Sequence, residues 1–222
     1  MDILIFGIQG SGKGTQAKAL ALALNLPIFE AGAELRKMAA ENTSAGHEIR
    51  TLMSTGHLVP PGIVLLRIAD FLEYSATQNG VIFDGVPRTY HQALDFDEMM
   101  NRNHRDNLVI NIELDEDQAL ARLTHRRICS KCTAVFMPEY KNDICNLCGG
   151  ILIHREDDNP EAIKVRFRKY KEETRPVIEH YRKQGKVLSV DGSQPIIDVT
   201  KDIFNQLSPL LKLRKKQEAK LS

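Results

Sequence analysis

The chain has 222 residues, of which 42% are hydrophobic and 27% charged, as expected for a globular protein with one sizeable core and room for small insertions. The net charge of +1 leaves no electrostatic footprint for nucleic acid or an anionic membrane, so we expect neither as a partner. No apolar run reaches the length of a secretory signal or a membrane span, which predicts a cytoplasmic protein.

Short apolar strands alternate with longer helical patterns, which is typical of a parallel α/β sheet. The predicted strands are 3–6, 27–29, 81–83, 108–114 and 187–190. The predicted helices are 13–24, 31–41, 45–54, 60–79, 115–126 and 196–211, with further helices beginning at Tyr90 and Pro160. Thr43 or Ser44, Asp115 and Asn159 are suited to cap three of them. Residues 127–158 break the alternation and show no helical period.

A glycine-rich stretch, Gly7 to Thr15, lies between the first predicted strand and the first predicted helix. This is the context of a P-loop, in which backbone N–H groups and a helix N-terminus hold phosphate. The strict pattern places a hydroxyl directly after the lysine, whereas here the hydroxyl comes one residue later. A plain glycine-rich turn with a surface lysine is the alternative. The residues that we expect to bind the ATP phosphates are Gly10, Ser11, Gly12, Lys13, Gly14 and Thr15.

A second motif, Asp84-Gly-Val-Pro-Arg88, follows the third predicted strand. Ligands of open α/β sheets bind at the carboxyl ends of the strands. Asp84 is therefore placed to order Mg²⁺ or its waters beside ATP. The turn formed by Gly85 and Pro87 presents Arg88 toward the phosphates.

Four cysteines, Cys129, Cys132, Cys145 and Cys148, form two Cys-x-x-Cys pairs separated by twelve residues. Two such pairs predict a closed tetrahedral zinc site that is structural rather than catalytic. Metal binding would supply folding free energy that so short a segment cannot obtain from its own apolar residues.

Together these motifs resemble the adenylate kinase family of nucleoside monophosphate kinases over nearly the whole chain. The matching elements are residues 7–16, Ala31-Gly32 with Arg36, Asp84–Arg88 with Gln92, Arg126-Arg127, the four cysteines, Arg155, Asp157-Asp158, Arg166 and Asp191-Gly192. The resemblance implies an α/β, P-loop three-layer fold with a five-stranded parallel sheet. It also implies a core of residues 1–29, 60–121 and 160–222, a small helical domain for the nucleoside monophosphate (NMP) at 30–59, and a zinc-binding lid at 122–159.

The reaction implied by the resemblance is reversible phosphoryl transfer from MgATP to AMP, giving two ADP, by an enzyme expected to be a monomer. The implied catalytic residues are Lys13, Arg88, Arg122, Arg126, Arg155, Arg166, Asp157 and Asp158. Asp84, Arg122 and Gln194 would join the P-loop in binding MgATP. The implied acceptor site consists of Ala31, Gly32, Arg36, Leu58, Val59, Gly85, Arg88, Gln92, Arg155 and Arg166.

Two alanines depart from the family pattern beside the acceptor site. Ala31 and Ala33 stand where Thr and Asp are typical, and Ala31 is reminiscent of UMP/CMP kinases, although Gln92 favours adenine. The same chemistry on CMP, UMP or GMP therefore remains an alternative. An alternative of a different class is a zinc-ribbon binding module on a degenerate nucleotide-binding fold.

Overall fold

The computed structural model describes residues 1–221, apart from the side chains at positions 75, 156 and 213–221. Its strands are β1 (Asp2–Gly7), β2 (Ile28–Glu30), β3 (Ile82–Asp84), β4 (Asn107–Glu113), β5 (Arg127–Cys129), β6 (Val135–Phe136), β7 (Leu152–Ile153) and β8 (Val187–Asp191). Its helices are α1 (Lys13–Leu24), α2 (Ala31–Ala39), α3 (Ser44–Ser54), α4 (Pro61–Leu72), α5 (Tyr90–Arg102), α6 (Glu116–His125), α7 (Pro160–Lys169), α8 (Arg175–Lys183) and α9 (Ile196–Leu221). Within the described residues, no helix has both the length and the apolar character needed to cross a membrane.

Five parallel strands of the described chain form the main sheet, in the order β2-β3-β1-β4-β8. The predicted five-stranded parallel α/β fold is therefore confirmed. Side chains alternate across β1: Leu4 and Phe6 pack with α4, α5 and α8, whereas Ile3 and Ile5 pack with α1 and α9. The two apolar layers fix the sheet between helices on both faces, so the carboxyl ends of the strands meet at one edge.

Three predicted N-caps are confirmed. The side chains of Thr43, Asp115 and Asn159 accept hydrogen bonds from the first turns of α3, α6 and α7. These caps depend on local sequence, which is why they could be read directly.

The helix predicted to run from residue 60 to 79 is too long. The structure ends α4 at Leu72 and continues with a 3₁₀ turn, Ser75–Thr77. The hydroxyl of Thr77 donates to the carbonyl oxygens of Leu72 and Tyr74, so a local side-chain bond replaces the regular helical pattern there.

The segment around the cysteines is a small antiparallel sheet in the order β6-β5-β7. The sequence pattern gave no sign of these strands. After α7, a π-helical turn at Tyr170–Thr174 separates it from α8, where the sequence suggested one helix. The sequence also predicts that the basic tail, residues 212–220, is a solvated end; its side chains from 213 onward lie outside the described residues.

Candidate active site

The loop between β1 and α1 is a concave arrangement of backbone N–H groups. Gly12 precedes α1 with φ 97°, and no side chain caps the helix. Gly10 has φ 90°, and a Cβ there would lie 2.7 Å from the carbonyl oxygen of Ala119. Only glycine fits both positions. The uncapped N–H groups at the start of α1 are therefore available for an anion, and the first turn of α1 contains no acidic residue.

Lys13 lies across this loop with its Nζ donating to the carbonyl oxygen of Ile8 at 2.9 Å. Burial lowers the pKa of Lys13 to about 7; Asp84 opposes that shift, and Arg88, Arg166 and Arg126 add to it. A phosphate placed on the loop would restore the favourable environment of the ammonium ion.

Asp84 ends β3 at the same edge of the sheet. A Cβ on Gly14 would be 3.2 Å from its Oδ2, so the carboxylate faces the start of α1. Burial raises the pKa of Asp84, against the effect of Lys13. One carboxylate beside a phosphate-binding loop is a donor set that suits Mg²⁺, which keeps most of its waters and takes the rest of its ligands from phosphate.

Four arginines line the cleft without a carboxylate within 4.0 Å among the described residues. One is Arg122; the other three, Arg36, Arg88 and Arg155, lie where their surroundings disfavour the charge. Arg88 is held by its Nε, which donates to the carbonyl oxygen of Gly85 at 2.8 Å. The Nε of Arg155 is buried without a partner. Burial lowers the pKa of all three guanidinium groups, that of Arg155 to about 10. Partly buried guanidinium groups without a carboxylate partner are typical of an anion site.

Two further arginines are paired instead. Arg126 contacts both carboxylate oxygens of Asp158, at 2.7 and 2.9 Å. Arg166 donates to Asp158 Oδ1 at 3.0 Å and to the carbonyl oxygen of Asp157 at 2.7 Å. Through these contacts Asp158, whose side chain is 3% exposed, links the segment before α7 to the end of α6. These pairs neutralise two of the cations nearest to Lys13.

The helix predicted over 115–126 would place Arg122 and Arg126, four residues apart, on one helix face, and the structure corrects this. Arg126 follows the last residue of α6 with ψ 143°, because the chain turns there into β5. Arg122 makes a different contact, with its Nη2 donating at 3.5 Å to the carbonyl oxygen of Ser193. Gln194 lines the cleft beside it and donates to Asp202 at 3.0 Å.

The predicted acceptor residues line the opposite end of the cleft. Apart from Arg155 and Arg166, they are Ala31, Gly32, Arg36, Leu58, Val59, Gly85, Arg88 and Gln92. The Oε1 of Gln92 accepts from the backbone N–H of Arg88 at 2.6 Å. An N–H can only donate, so this contact fixes the amide orientation of Gln92. Both ends belong to one cavity of about 1520 Å³, which is larger than one small-ligand pocket usually is.

The four cysteine sulfurs lie within 4.8 Å of one another. The Sγ atoms of Cys129 and Cys148 are 3.3 Å apart, and those of Cys132 and Cys145 are 3.7 Å apart. Zn–S bonds of about 2.3 Å in a tetrahedron would place the sulfurs about 3.8 Å apart. Backbone N–H groups also point at Cys129 and Cys145, which favours thiolates. The cluster is therefore compatible with Zn²⁺.

Sequence reasoning missed a contact between the cysteine segment and α1. Lys18 Nζ lies 3.3 Å from Thr133 Oγ1 and 3.7 Å from Glu30, at the end of β2. All three residues line the cleft. No motif marks them, since charged residues on a helix and at a strand end are common on any surface.

Comparison with known proteins agrees with this geometry. Residues 5–186 match the family model described as adenylate kinase. The chain is 37% identical over 210 residues to an adenylate kinase of Thermosipho africanus, covering 92% of this chain and 98% of that protein. It is 37% identical over 208 residues to an adenylate kinase of Archaeoglobus fulgidus, covering 91% and 96%. It is 36% identical over 215 residues to an adenylate kinase of Staphylococcus aureus strain Mu50, covering 95% and 100%.

Proposed function

The chain belongs to the adenylate kinase family, and from that premise we propose that it transfers the terminal phosphoryl group of MgATP reversibly to AMP, giving two ADP. The observation that carries the proposal is that one cleft, which begins at the phosphate-binding loop, holds Lys13, Arg36, Arg88 and Arg155, none of them with a carboxylate within 4.0 Å among the described residues. Such a set suits two phosphate-bearing ligands that face each other.

Lys13 and the loop would hold the β- and γ-phosphates of ATP, with Asp84 placed to hold Mg²⁺, which supplies further charge neutralisation when bound. Arg36 and Arg88 would hold the phosphate of the acceptor. The attacking atom is a phosphate oxygen that is already ionised near neutral pH, so no general base is needed. The reaction then depends on alignment of the two phosphates and on neutralisation of the developing charge.

Arg126, Arg155 and Arg166 would surround the group in transfer, with Asp157 and Asp158 keeping the paired arginines in place. A bidentate guanidinium meets two phosphoryl oxygens at once. Arg122 and Gln194, at the other end of the cleft, would contact the donor nucleotide, as would Ser11, Gly14 and Thr15.

We propose that residues 122–159 act as a lid over ATP and that residues 30–59 act as the NMP-binding domain, both moving relative to the core. The Lys18–Thr133 contact between α1 and the cysteine segment supports a lid that touches the core near the donor site. A covered site excludes water, which would otherwise hydrolyse ATP. Zinc held by the four cysteines would stabilise the lid itself.

AMP as acceptor is supported by Gln92, which lines the cavity and whose Oε1 is already used by the backbone N–H of Arg88, so its Nε2 is left to donate to a base. Ala31 removes a hydroxyl typical of the family, and this favours a second candidate, the same reaction with CMP, UMP or GMP. Initial rates with excess MgATP and each of the four monophosphates test this. We expect the highest kcat/KM with AMP, and AMP as a poor acceptor would refute the choice of substrate without touching the reaction class.

Cytoplasmic location and a monomeric state belong to the same proposal. Four thiols available for a metal suit a reducing compartment. Light scattering at working concentration, with and without nucleotides, would test the monomer.

A further inference from the structure

The phosphate-binding loop carries an amide side chain, that of Gln9, whose oxygen is buried without a partner. Five side-chain atoms of the described residues are buried and unpartnered. Two of them, in Asn107 and Asn111, lie on β4. The other three belong to Gln9, Ser11 and Arg155, which all line the cleft. Because a buried polar atom without a hydrogen bond is costly, this concentration indicates that a polar ligand completes the site.

The neighbours of Gln9 fix its place. Ile8 packs against Ala119 and Leu123 of α6, and Gly10 lies so close to Ala119 that it has no room for a side chain. The ammonium of Lys13 rests on the carbonyl oxygen of Ile8. Gln9 therefore lies between the helix that leads into Arg126 and the lysine that faces the phosphates.

The charged groups around Lys13 are the cations that surround this part of the cleft. Its pKa is lowered by burial and by three neighbouring arginines, Arg88, Arg166 and Arg126. A group transferred between two nucleotides must pass through this convergence of charges. Gln9 and Ser11 are the uncharged polar side chains of the loop that line the cleft with a buried, unpartnered atom, and Gln9 is the longer of the two and carries separate donor and acceptor groups.

An amide can satisfy two kinds of partner at once. Its Nε2 donates, as a phosphoryl oxygen requires, and its Oε1 accepts, as a guanidinium requires. It does both without changing the net charge of the site. A carboxylate of the same shape could accept from the guanidinium but would repel the phosphoryl oxygens.

We propose that Gln9 is a further catalytic residue, whose Nε2 binds an oxygen of the transferred phosphoryl group while its Oε1 accepts from one of the surrounding arginines. No bond to Gln9 forms or breaks. The inference rests on the proposed phosphoryl transfer and adds to it a neutral contact between the loop and the reacting group. That contact strengthens as charge develops, so it acts mainly on kcat.

Two substitutions test this. Gln9→Met keeps the length of the side chain and removes the amide; Gln9→Glu keeps the shape and adds a negative charge. Gln118→Ala, at an exposed position of α6, is the matched control. Each variant is assayed for kcat and KM with MgATP and AMP, for the Kd of ATP by calorimetry, and for ligand-free Tm.

We expect Gln9→Met to lower kcat by about tenfold to a hundredfold, with the KM and Kd of ATP within about threefold of wild type. Gln9→Glu should lower kcat further. The ligand-free Tm of Gln9→Met should be unchanged or higher, because the substitution removes a buried unpartnered acceptor. A residue that only shaped the loop would lower Tm and ATP affinity together with kcat.

A kcat of Gln9→Met within threefold of wild type overturns the inference, as does an equal loss in Gln118→Ala. If Gln9→Met does not fold, Gln9→Glu decides alone, and a kcat within threefold of wild type again overturns it. A wild-type protein that transfers no phosphoryl group would refute the proposed function instead, so the two failures are distinguishable.

Discussion

Removal of the Arg88 side chain should be among the most damaging single changes to activity. Its Nε is already used by Gly85, so the two Nη groups remain for the acceptor phosphate. Two hydrogen bonds to a charged partner at about 1.5–3 kcal/mol each come to about 3–6 kcal/mol. At about 1.4 kcal/mol per factor of ten, Arg88→Ala should lower kcat/KM for AMP by about a hundredfold to ten-thousandfold.

The assay is a coupled measurement of ADP formation with AMP varied at saturating MgATP. Arg88→Lys should fall between wild type and Arg88→Ala, because lysine keeps the charge and loses the planar fork. Arg102→Ala is the control: Arg102 ends α5 and forms an exposed pair with Glu98, worth at most a few tenths of a kcal/mol. Its activity should match wild type.

The ligand-free stability separates a lost contact from a misfolded protein. Burial lowers the pKa of Arg88, and Arg166 lowers it further, so the charge is disfavoured where it stands. The Tm of Arg88→Ala should therefore stay close to that of wild type. A loss of kcat/KM below tenfold in a folded variant would refute the reasoning that Arg88 holds the acceptor phosphate.

Three other predictions follow from the same site. The native pKa of Lys13 is about 7 and the unfolded value is about 10.4, so the stability of the ligand-free protein should rise as the pH increases between these values. ATP binding at pH 8 should take up nearly one proton, measured by calorimetry in two buffers. Proton uptake that persists in Lys13→Met would contradict this. Asp158→Asn should lower the free energy of unfolding by about 3 kcal/mol, because two largely buried arginines lose a buried partner. Asp143→Asn, whose carboxylate is 85% exposed in its pair with Arg127, should change it little in the same urea titration. Cys145→Ser should lower zinc content and Tm and leave ATP binding intact; unchanged zinc by atomic absorption would count against the four-cysteine site.

Sequence was most informative where local chemistry decides the structure. The start of α1 at Lys13 follows from the glycines before it, and Thr43, Asp115 and Asn159 cap their helices as predicted. The predicted end of α4 was wrong because the Thr77 hydroxyl donates to backbone carbonyl oxygens. The sequence alone does not show whether a threonine in a run of helix-forming residues makes such a bond.

The strands beside the cysteines could not be predicted for a different reason. β6 and β7 are two residues long and pair with the three residues of β5. Strands so short have no alternation to detect, and partners distant in sequence define them. The cysteine spacing predicted the cluster but carried no information about the sheet around it.

Which arginines of the site are paired with a carboxylate could not be predicted from the sequence either. The resemblance implied that Arg36 and Arg88 hold the acceptor phosphate and that Arg126, Arg155 and Arg166 surround the transferred group, but not which of these five meets an acid. The structure divides them, because Asp158 reaches Arg126 and Arg166 and leaves the other three without a carboxylate. Which arginine meets an acid depends on how the chain turns after α6 and before α7, and no spacing rule gives that.

This division explains how so many cations can share a cleft before any nucleotide is bound. Each unpartnered guanidinium is disfavoured by burial, and all five together would oppose folding. Asp158 offsets two of them within the protein. The other three arginines and Lys13 have no carboxylate partner among the described residues, and the phosphates of two nucleotides can neutralise their charges. Nucleotide binding should thus stabilise the native state by an amount that rises with the logarithm of ligand concentration above Kd. The stabilisation by ATP and AMP together should fall when Arg36, Arg88 or Arg155 is removed, while removal of Asp158 should weaken the ligand-free protein more than the complex.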